Sequence, residues 1–303
     1  MKQSGENLSS GKIWLLAIRP KTLPASIGPV VMGTALALGD GVFRFGPAAA
    51  AFVAALLLQI GSNLANDVFD FIKGTDTRER TGPVRVTQAG LLSPRQVKNG
   101  MWVVFALAVL LGAYLVWVGG WPIIVIGILA IVAAIAYTGG PYPLGYHGLG
   151  EVLVFIFFGP VAVCGTYFVQ ALELPTVAWW ASLPMGFLIS ALLVVNNIRD
   201  IETDKKAGKR TLAVRLGLLG AQIEFYLLLA ISMAVPLVMY LYKLSSAWIL
   251  VSWLSLFWIP PLIRDIRLKK GAPLNVTLAG TARLGLVFSI LFSIGYLLNK
   301  LLV

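Results

Sequence analysis

Long apolar runs alternate with short polar stretches along almost the whole chain. The pattern predicts nine helices, at roughly 23–39, 47–65, 101–118, 121–137, 151–171, 178–197, 224–242, 246–262 and 284–302. Runs of this length match the thickness of a bilayer's hydrocarbon core. The predicted class is therefore an all-α membrane protein, nine transmembrane helices around a central cavity. The first span is the least regular, because Pro24 and Pro29 interrupt it. Trp14, Trp102, Trp117, Trp121, Trp179 and Trp180 fall near span ends, as interfacial aromatic belts do.

Composition agrees: 58% of the 303 residues are hydrophobic and only 12% charged. Residues 1–12 are polar, and the first apolar run carries no small-residue cleavage site, so a signal peptide is not expected. The single Cys164 excludes a disulfide framework, and the single His147 excludes a histidine metal centre. A net charge of +11 raises the question of nucleic acid. Its placement answers no: with nine crossings, 21 of the 24 Lys and Arg fall on one face, leaving Arg44, Lys243 and Lys300 on the other. The positive-inside rule then places the N-terminus in the cytoplasm and the C-terminus outside, in a cytoplasmic membrane. One domain, 1–303, is expected, since no linker or low-complexity tract interrupts the pattern.

Two polar clusters stand out where apolar runs end. On the second predicted helix Asn63, Asn66, Asp67 and Asp70 recur at spacings of three and four, which puts them on one face. Gly74 then breaks the helix, letting Asp76 fold back. On the sixth helix Asn197, Asp200 and Asp204 form a second stripe. Asn66 and Asn196 are 130 residues apart with four helices between them, so both clusters face the cytoplasm. The even count also suggests a parallel repeat, helices one to four resembling five to eight. Carboxylates at the edge of hydrocarbon are costly and are kept where they bind something. Facing acidic sets repel unless cations and a bridging polyanion lie between them. Oxygen donors without nitrogen or sulfur suit Mg²⁺, which binds through one or two carboxylates plus substrate phosphates. The plainer reading, that these residues cap helices or solvate an interface, fits one cluster better than two on the same face. Arg78, Arg80, Lys205, Lys206, Lys209 and Arg210 in the following loops satisfy topology and are also candidates to grip diphosphate oxygens.

The first cluster, with Lys73-Gly74-Thr75-Asp76 and Thr81-Gly82-Pro83-Val84-Arg85, resembles the first motif of UbiA-type aromatic prenyltransferases. The run from Asn196 to Gly217 is similar to the branch acting on 1,4-dihydroxy-2-naphthoate in menaquinone synthesis. So are Arg19-Pro20-Lys21-Thr22-Leu23 and Tyr137-Thr138-Gly139-Gly140-Pro141-Tyr142-Pro143-Leu144-Gly145-Tyr146, whose three tyrosines lie on the face of both Asp clusters. The likeness covers about residues 13 to 300. One departure is that Gly74 stands where the wider superfamily has its third acidic residue, with Asp76 two positions later.

The resemblance implies Mg²⁺-dependent transfer of a polyprenyl group from an allylic diphosphate to 1,4-dihydroxy-2-naphthoate, with loss of CO₂ and diphosphate. It implies Asp67, Asp70, Asp76, Asp200 and Asp204 as metal ligands. Asn63, Asn66, Asn197, Lys73, Arg78, Arg199, Lys205 and Lys209 would serve the diphosphate. Tyr137 and Tyr142 would line the reacting cavity, and Arg19 and Lys21 would hold the naphthoate carboxylate. A polyprenyl tail would lie in apolar surroundings and pass between helices into membrane lipid. Glu151 is expected to complement the dipole of the fifth helix. The rival readings are a sister enzyme using homogentisate or 4-hydroxybenzoate, and a cation-coupled transporter.

Overall fold

The computed structural model describes residues 8–75 and 81–302. Every regular element among them is helical. In chain order these are α1 (Ser10–Ile18), α2 (Pro24–Gly39), α3 (Phe45–Ile72), α4 (Pro94–Gly119), α5 (Trp121–Ala136), α6 (Gly150–Ile156), α7 (Ala162–Ala171), α8 (Thr176–Lys206), α9 (Leu212–Leu241), α10 (Ile259–Leu268) and α11 (Leu274–Leu302). Seven helical stretches are long and apolar enough to cross a membrane, among them α6–α7 taken together. The α1–α2 pair, bent by 55°, brings that to eight, while α5 has only 16 residues.

Prolines and glycines explain the irregular places. Arg19 ends α1 in the left-handed region (φ 57°), and Pro20, lacking an N–H, starts a short 3-10 turn that redirects the chain into α2. Pro160 lies in a π-helical turn, Phe157–Val161, between α6 and α7. Gly159 in that turn meets α8 so closely that an added Cβ would sit 2.9 Å from the Gly186 Cα. Such turns are often found beside functional sites, and Phe157, Phe158 and Val161 here face a cavity. At the start of α4, Ser93 and Gln96 form a reciprocal capping box with Pro94 at the first position.

The core centres on α8. Its apolar window is 67% buried, against 22% for α4 on the periphery. The large core cluster joins α2, α7, α8, α9 and α11 through side chains such as Met32, Tyr167, Met185, Phe225 and Phe288. A second cluster packs α3 against α4 through Leu64, Val68, Val97, Met101 and Phe105. Exposed Leu, Ile, Val and Trp side chains lie along α4, α5 and α9. A soluble protein would not leave that much apolar surface uncovered; lipid is the solvent that accepts it.

At one end of the bundle Asp40 accepts from Tyr167 Oη (2.9 Å), Tyr296 Oη (2.7 Å) and Lys300 Nζ (2.9 Å), tying α2, α7 and α11 together. Burial pushes this carboxyl up, but the three donors outweigh it and hold it below its ordinary value. The two acid-bearing helix ends lie at the other end.

Candidate functional site

The site is the polar mouth of one deep cavity of about 430 Å³. Two helices, far apart in sequence, bring their C-terminal ends to it. Both end alike. Gly74 (φ 68°) stops α3, with the Thr75 amide returning to the Asp70 carbonyl at 3.0 Å. Gly208 (φ 73°) stops α8, with the Lys209 amide returning to the Asp204 carbonyl at 2.9 Å. Only glycine takes this left-handed position without strain. The second stop has a consequence: it turns Lys209 back across the mouth, 3.2 Å from Asp70 Oδ1.

Asp70 is the hub. Its carboxylate, 1% exposed, takes Arg85 Nη2 at 2.6 Å, Lys209 Nζ at 3.2 Å and the Tyr146 hydroxyl. Tyr146 also shares a hydrogen bond with Thr75 Oγ1 (2.9 Å), and Lys209 lies 4.5 Å over its ring. Burial, then the adjacent Asp70 charge, push the Tyr146 phenol well above its ordinary value, so it remains a neutral donor. Lys73 donates to the Gly140 carbonyl at 2.7 Å and lies 5.4 Å from the Tyr146 ring; burial draws its ammonium downward.

On α8, Asn196, Asn197, Asp200 and Asp204 face the same cavity. Asp200 receives Arg199 through Nε (2.8 Å) and Nη2 (2.5 Å), and Thr81 Oγ1 at 2.7 Å. Arg199 is itself buried and further donates to Asn196 (2.8 Å) and to Asn275 on α11 (2.8 Å). Asn197 donates to Glu151 at 2.7 Å, so Glu151, buried in the first turn of α6, serves as an acceptor as well as a dipole partner. Thr138 donates to Asn66 at 3.0 Å.

Below the mouth the walls become apolar: Tyr137, Phe157, Phe158, Leu192 and, deeper, Leu115 and Val169. The cavity follows α3 from Asp70 to Ala51, nineteen residues or about 28 Å of helix rise. Small side chains, Ala51, Ala54, Ala130 and Gly165, leave it room. A charged head at the mouth and a long apolar body below it is the shape of the ligand this space admits.

Asn63, Asn66, Asp70, Asn197, Asp200, Asp204, Tyr137, Lys209 and Arg19 line this space together. Asn63 is held by its own donations to Ile18 O (2.9 Å) and Thr22 Oγ1 (3.1 Å). Arg199 reaches the mouth through Asp200. Four expectations meet a different placement. Asp67, one residue after Asn66 and so rotated by about 100° on the helix, is 1% exposed and does not line the cavity. Its carboxylate takes the amides of Val86 and Thr87, both at 3.1 Å. Tyr142 is 58% exposed and stacks on His147; Tyr146, four residues on, is the tyrosine that turns inward. Lys21 and Lys205 are exposed on the outside of the mouth. Asp76 and Arg78 lie outside the described residues.

Arg85, Thr81, Tyr146 and Asn275 were not singled out as site residues. Arg85 had a signal, a cation fifteen residues after Asp70 in a Gly-Pro loop. Asn275 had none.

Among the described residues no three His, Cys, Asp or Glu side chains converge into a ready cage. The donor set still fits a hard cation: carboxylate and amide oxygens of Asn66, Asp70, Asp200 and Asp204 around one opening, with no thiol or imidazole. Mg²⁺ is held by one or two carboxylates plus phosphate and water, so a closed protein cage is not its mode of binding.

The UbiA prenyltransferase family model matches residues 26–278. The chain is 36% identical over 305 residues to 1,4-dihydroxy-2-naphthoate octaprenyltransferase of Escherichia coli (strain K12), covering 97% of this chain and 98% of that one. It is 39% identical over 272 residues to the Mycobacterium tuberculosis protein of the same name, covering 90% and 86%. A UbiA homolog from Archaeoglobus fulgidus, solved bound to GPP and Mg²⁺, shares the fold with a TM-score of 0.62 at 16% identity, over 93% of this chain and 99% of that one. With two acid-ended helices meeting over an apolar shaft, and a family model spanning most of its length, the chain belongs to the UbiA prenyltransferase family.

Proposed function

We propose that the protein transfers a polyprenyl group from an allylic diphosphate to 1,4-dihydroxy-2-naphthoate, with release of CO₂ and diphosphate, giving demethylmenaquinol, the hydroquinone form of demethylmenaquinone. The observation that carries this is the single cavity joining Asp70, Asp200 and Asp204 at a cationic mouth to a deep apolar shaft. The relatives named for naphthoate transfer match nearly end to end.

Arg85, Lys209 and Lys73 are the donors for diphosphate oxygens, bidentate guanidinium contact being the strongest of these. Without substrate Arg85 and Lys209 pair with Asp70, Lys73 donates to the Gly140 carbonyl, and Arg199 pairs with Asp200. Binding is then an exchange of partners: phosphate oxygens take over the cations and leave carboxylate oxygens open. Asp70, Asp200 and Asp204, with Asp76 and the amide of Asn66, would hold Mg²⁺. When bound, the ion neutralises the diphosphate and makes it a better leaving group.

The allylic C–O bond breaks, diphosphate leaves with the electron pair, and the electron-rich ring carbon that bears the carboxylate forms the new C–C bond. The ring's carboxylate then departs as CO₂, returning its electrons to the ring. Tyr137 and the cavity's phenylalanines exclude water from the allylic cation and face it with aromatic rings. Arg19 lines the mouth beside Thr22, with Nη2 3.8 Å from Asp67 Oδ2, and would hold the naphthoate carboxylate. Its left-handed backbone is strain of the kind kept at binding sites.

We read the chain as one integral membrane domain, 1–303, with nine crossings. The bent α1–α2 pair counts as one and α5 as another, the N-terminus is cytoplasmic, the C-terminus outside, and the mouth opens to the cytoplasm. The basic loops at the mouth's end of the bundle support this orientation. The experiment incubates membranes with labelled allylic diphosphate and a panel of aromatic acids, with and without chelator. Mg²⁺-dependent labelling of 1,4-dihydroxy-2-naphthoate is expected; labelling of 4-hydroxybenzoate or homogentisate instead would overturn the acceptor, and no prenylated product the reaction.

A further inference from the structure

Residues 81–92 form a strap across the mouth, and its construction gives Asp67 a role. The strap touches both acidic clusters. Thr81 donates to Asp200 at 2.7 Å, and Arg85 donates to Asp70 at 2.6 Å. Its middle is a single tight turn, with Ala89 N returning to Arg85 O and Leu91 N to Val86 O, both at 2.9 Å. The first amides of such a turn have no partner within it. Those amides are Val86 and Thr87, and Asp67 takes one with each carboxylate oxygen. The cap thus comes from a different helix. Val86 is fully buried and Arg85 and Thr87 nearly so, which leaves no water to replace it. Asn275 anchors the strap's other end, donating to Thr81 O at 2.9 Å while accepting from Arg199.

We propose that Asp67 is a positioning residue and not a metal ligand: it fixes the backbone of the strap so that the adjacent Arg85 side chain meets Asp70 and the incoming diphosphate. Asp67 and Asp70 are three residues apart on α3. They divide the work, the first holding residues 86 and 87 and the second receiving residue 85. Each Asp67 oxygen accepts one backbone amide, and Oδ2 also lies 3.8 Å from Arg19 Nη2; the carboxylate itself does not line the cavity. The proposal rests on the reading of the mouth as a diphosphate site, and concerns how that site is held.

The test uses the full chain in detergent and compares wild type, Asp67→Asn, Asp67→Ala, Arg85→Ala and Asp67→Ala/Arg85→Ala. Amide exchange at 86–87 is read without substrate. Asp67→Asn turns one acceptor into a donor facing an N–H, so protection there falls by about tenfold to a hundredfold, the factor carried by a hydrogen bond to a charged acceptor. In turnover, Asp67→Asn raises KM for the allylic diphosphate while the Mg²⁺ concentration for half activity stays within about twofold. Because Asp67 acts through Arg85, adding Asp67→Ala to Arg85→Ala costs no more than about twofold further.

Unchanged exchange in Asp67→Asn would overturn the proposal. So would a Mg²⁺ requirement raised about tenfold at constant KM for the donor, or losses that multiply in the double variant. If Asp67→Ala does not fold, Asp67→Asn carries the exchange and Mg²⁺ arms. If wild type makes no prenylated product, the functional reading fails, and exchange at 86–87 still decides what Asp67 holds.

Discussion

Replacing Ala54 by Trp tests whether the shaft is the binding site of the prenyl tail. Ala54 lies sixteen residues before Asp70 on α3, about 24 Å down the cavity at 1.5 Å per residue. It is 9% exposed, and its methyl group is part of the wall. An indole there blocks the shaft below that depth. A tail reaching past it must displace packed side chains, at about 1–3 kcal/mol, or roughly 5- to 150-fold in kcat/KM. Donors whose tails end above the block meet no obstacle. The assay is kcat/KM for allylic diphosphates of increasing length, with Mg²⁺ and naphthoate saturating. A sharp break is expected, short donors within about twofold of wild type and long donors below it by the stated factor. Ala51→Trp, one turn lower, should move the break to tails longer by about 4.5 Å. Loss spread evenly over all lengths would mean a damaged fold, and no break in either variant would mean the tail leaves between helices above residue 54. The second result, in variants that keep the fold, refutes the shaft as the tail's site.

Asp70→Ala takes from Arg85 and Lys209 the carboxylate they share, and should cost about 3–5 kcal/mol of stability by denaturation in detergent. Asp70→Asn should cost less yet be equally inactive, separating charge balance from catalysis. Tyr146→Phe removes the hydroxyl bonded to Asp70 and should slow turnover. In wild type that phenol is pushed up by burial and by Asp70, so no alkaline break from it should appear in the pH–rate profile near the ordinary tyrosine value of 10.0. A break there that vanishes in Tyr146→Phe would contradict this. At the opposite end, Asp40 has a folded value lowered below its ordinary 3.8. The stability it provides is therefore complete above that ordinary value and lost as pH falls through the folded one. The thermal unfolding temperature of wild type should fall below about pH 4, and that component should be missing in Asp40→Asn.

Hydrophobic run length was enough to reveal a helical membrane protein, because a bilayer imposes one length on every crossing helix. The bent and short segments were harder. The 55° bend falls between Thr22 and Pro24, while Pro29, expected to interrupt the first span, sits inside a continuous α2; composition does not encode which proline bends the chain. The twelve-residue 3-10 stretch before α10, Ala247–Trp258, has no sequence signature, since 3-10 runs of that length are rare. The acid clusters were legible for a local reason: helix periodicity fixes which residues share a stripe, and Asp200 and Asp204 duly face the cavity together.

Periodicity also misleads where two adjacent stripes both carry acids. Asn63, Asn66, Asp67 and Asp70 fit a broad face, but only about 100° separates Asn66 from Asp67, and that angle divides cavity from strap. Which side Asp67 takes depends on a turn some twenty residues later whose amides need an acceptor, a tertiary fact that no helical wheel contains. Tyr142 and Tyr146 pose the same problem in a loop. Both are aromatic and lie in one Pro-Tyr-Pro-Leu-Gly-Tyr run, and the 3-10 turn Leu144–His147 selects the second. Asn275 is the extreme case, 76 residues from Arg199 and 194 from Thr81, yet bonded to both. Sequence reading finds groups whose chemistry is costly where they stand, the buried carboxylates above all. It does not find the amides, hydroxyls and backbone donors that make the cost bearable, because those are ordinary residues until the fold brings them near a charge.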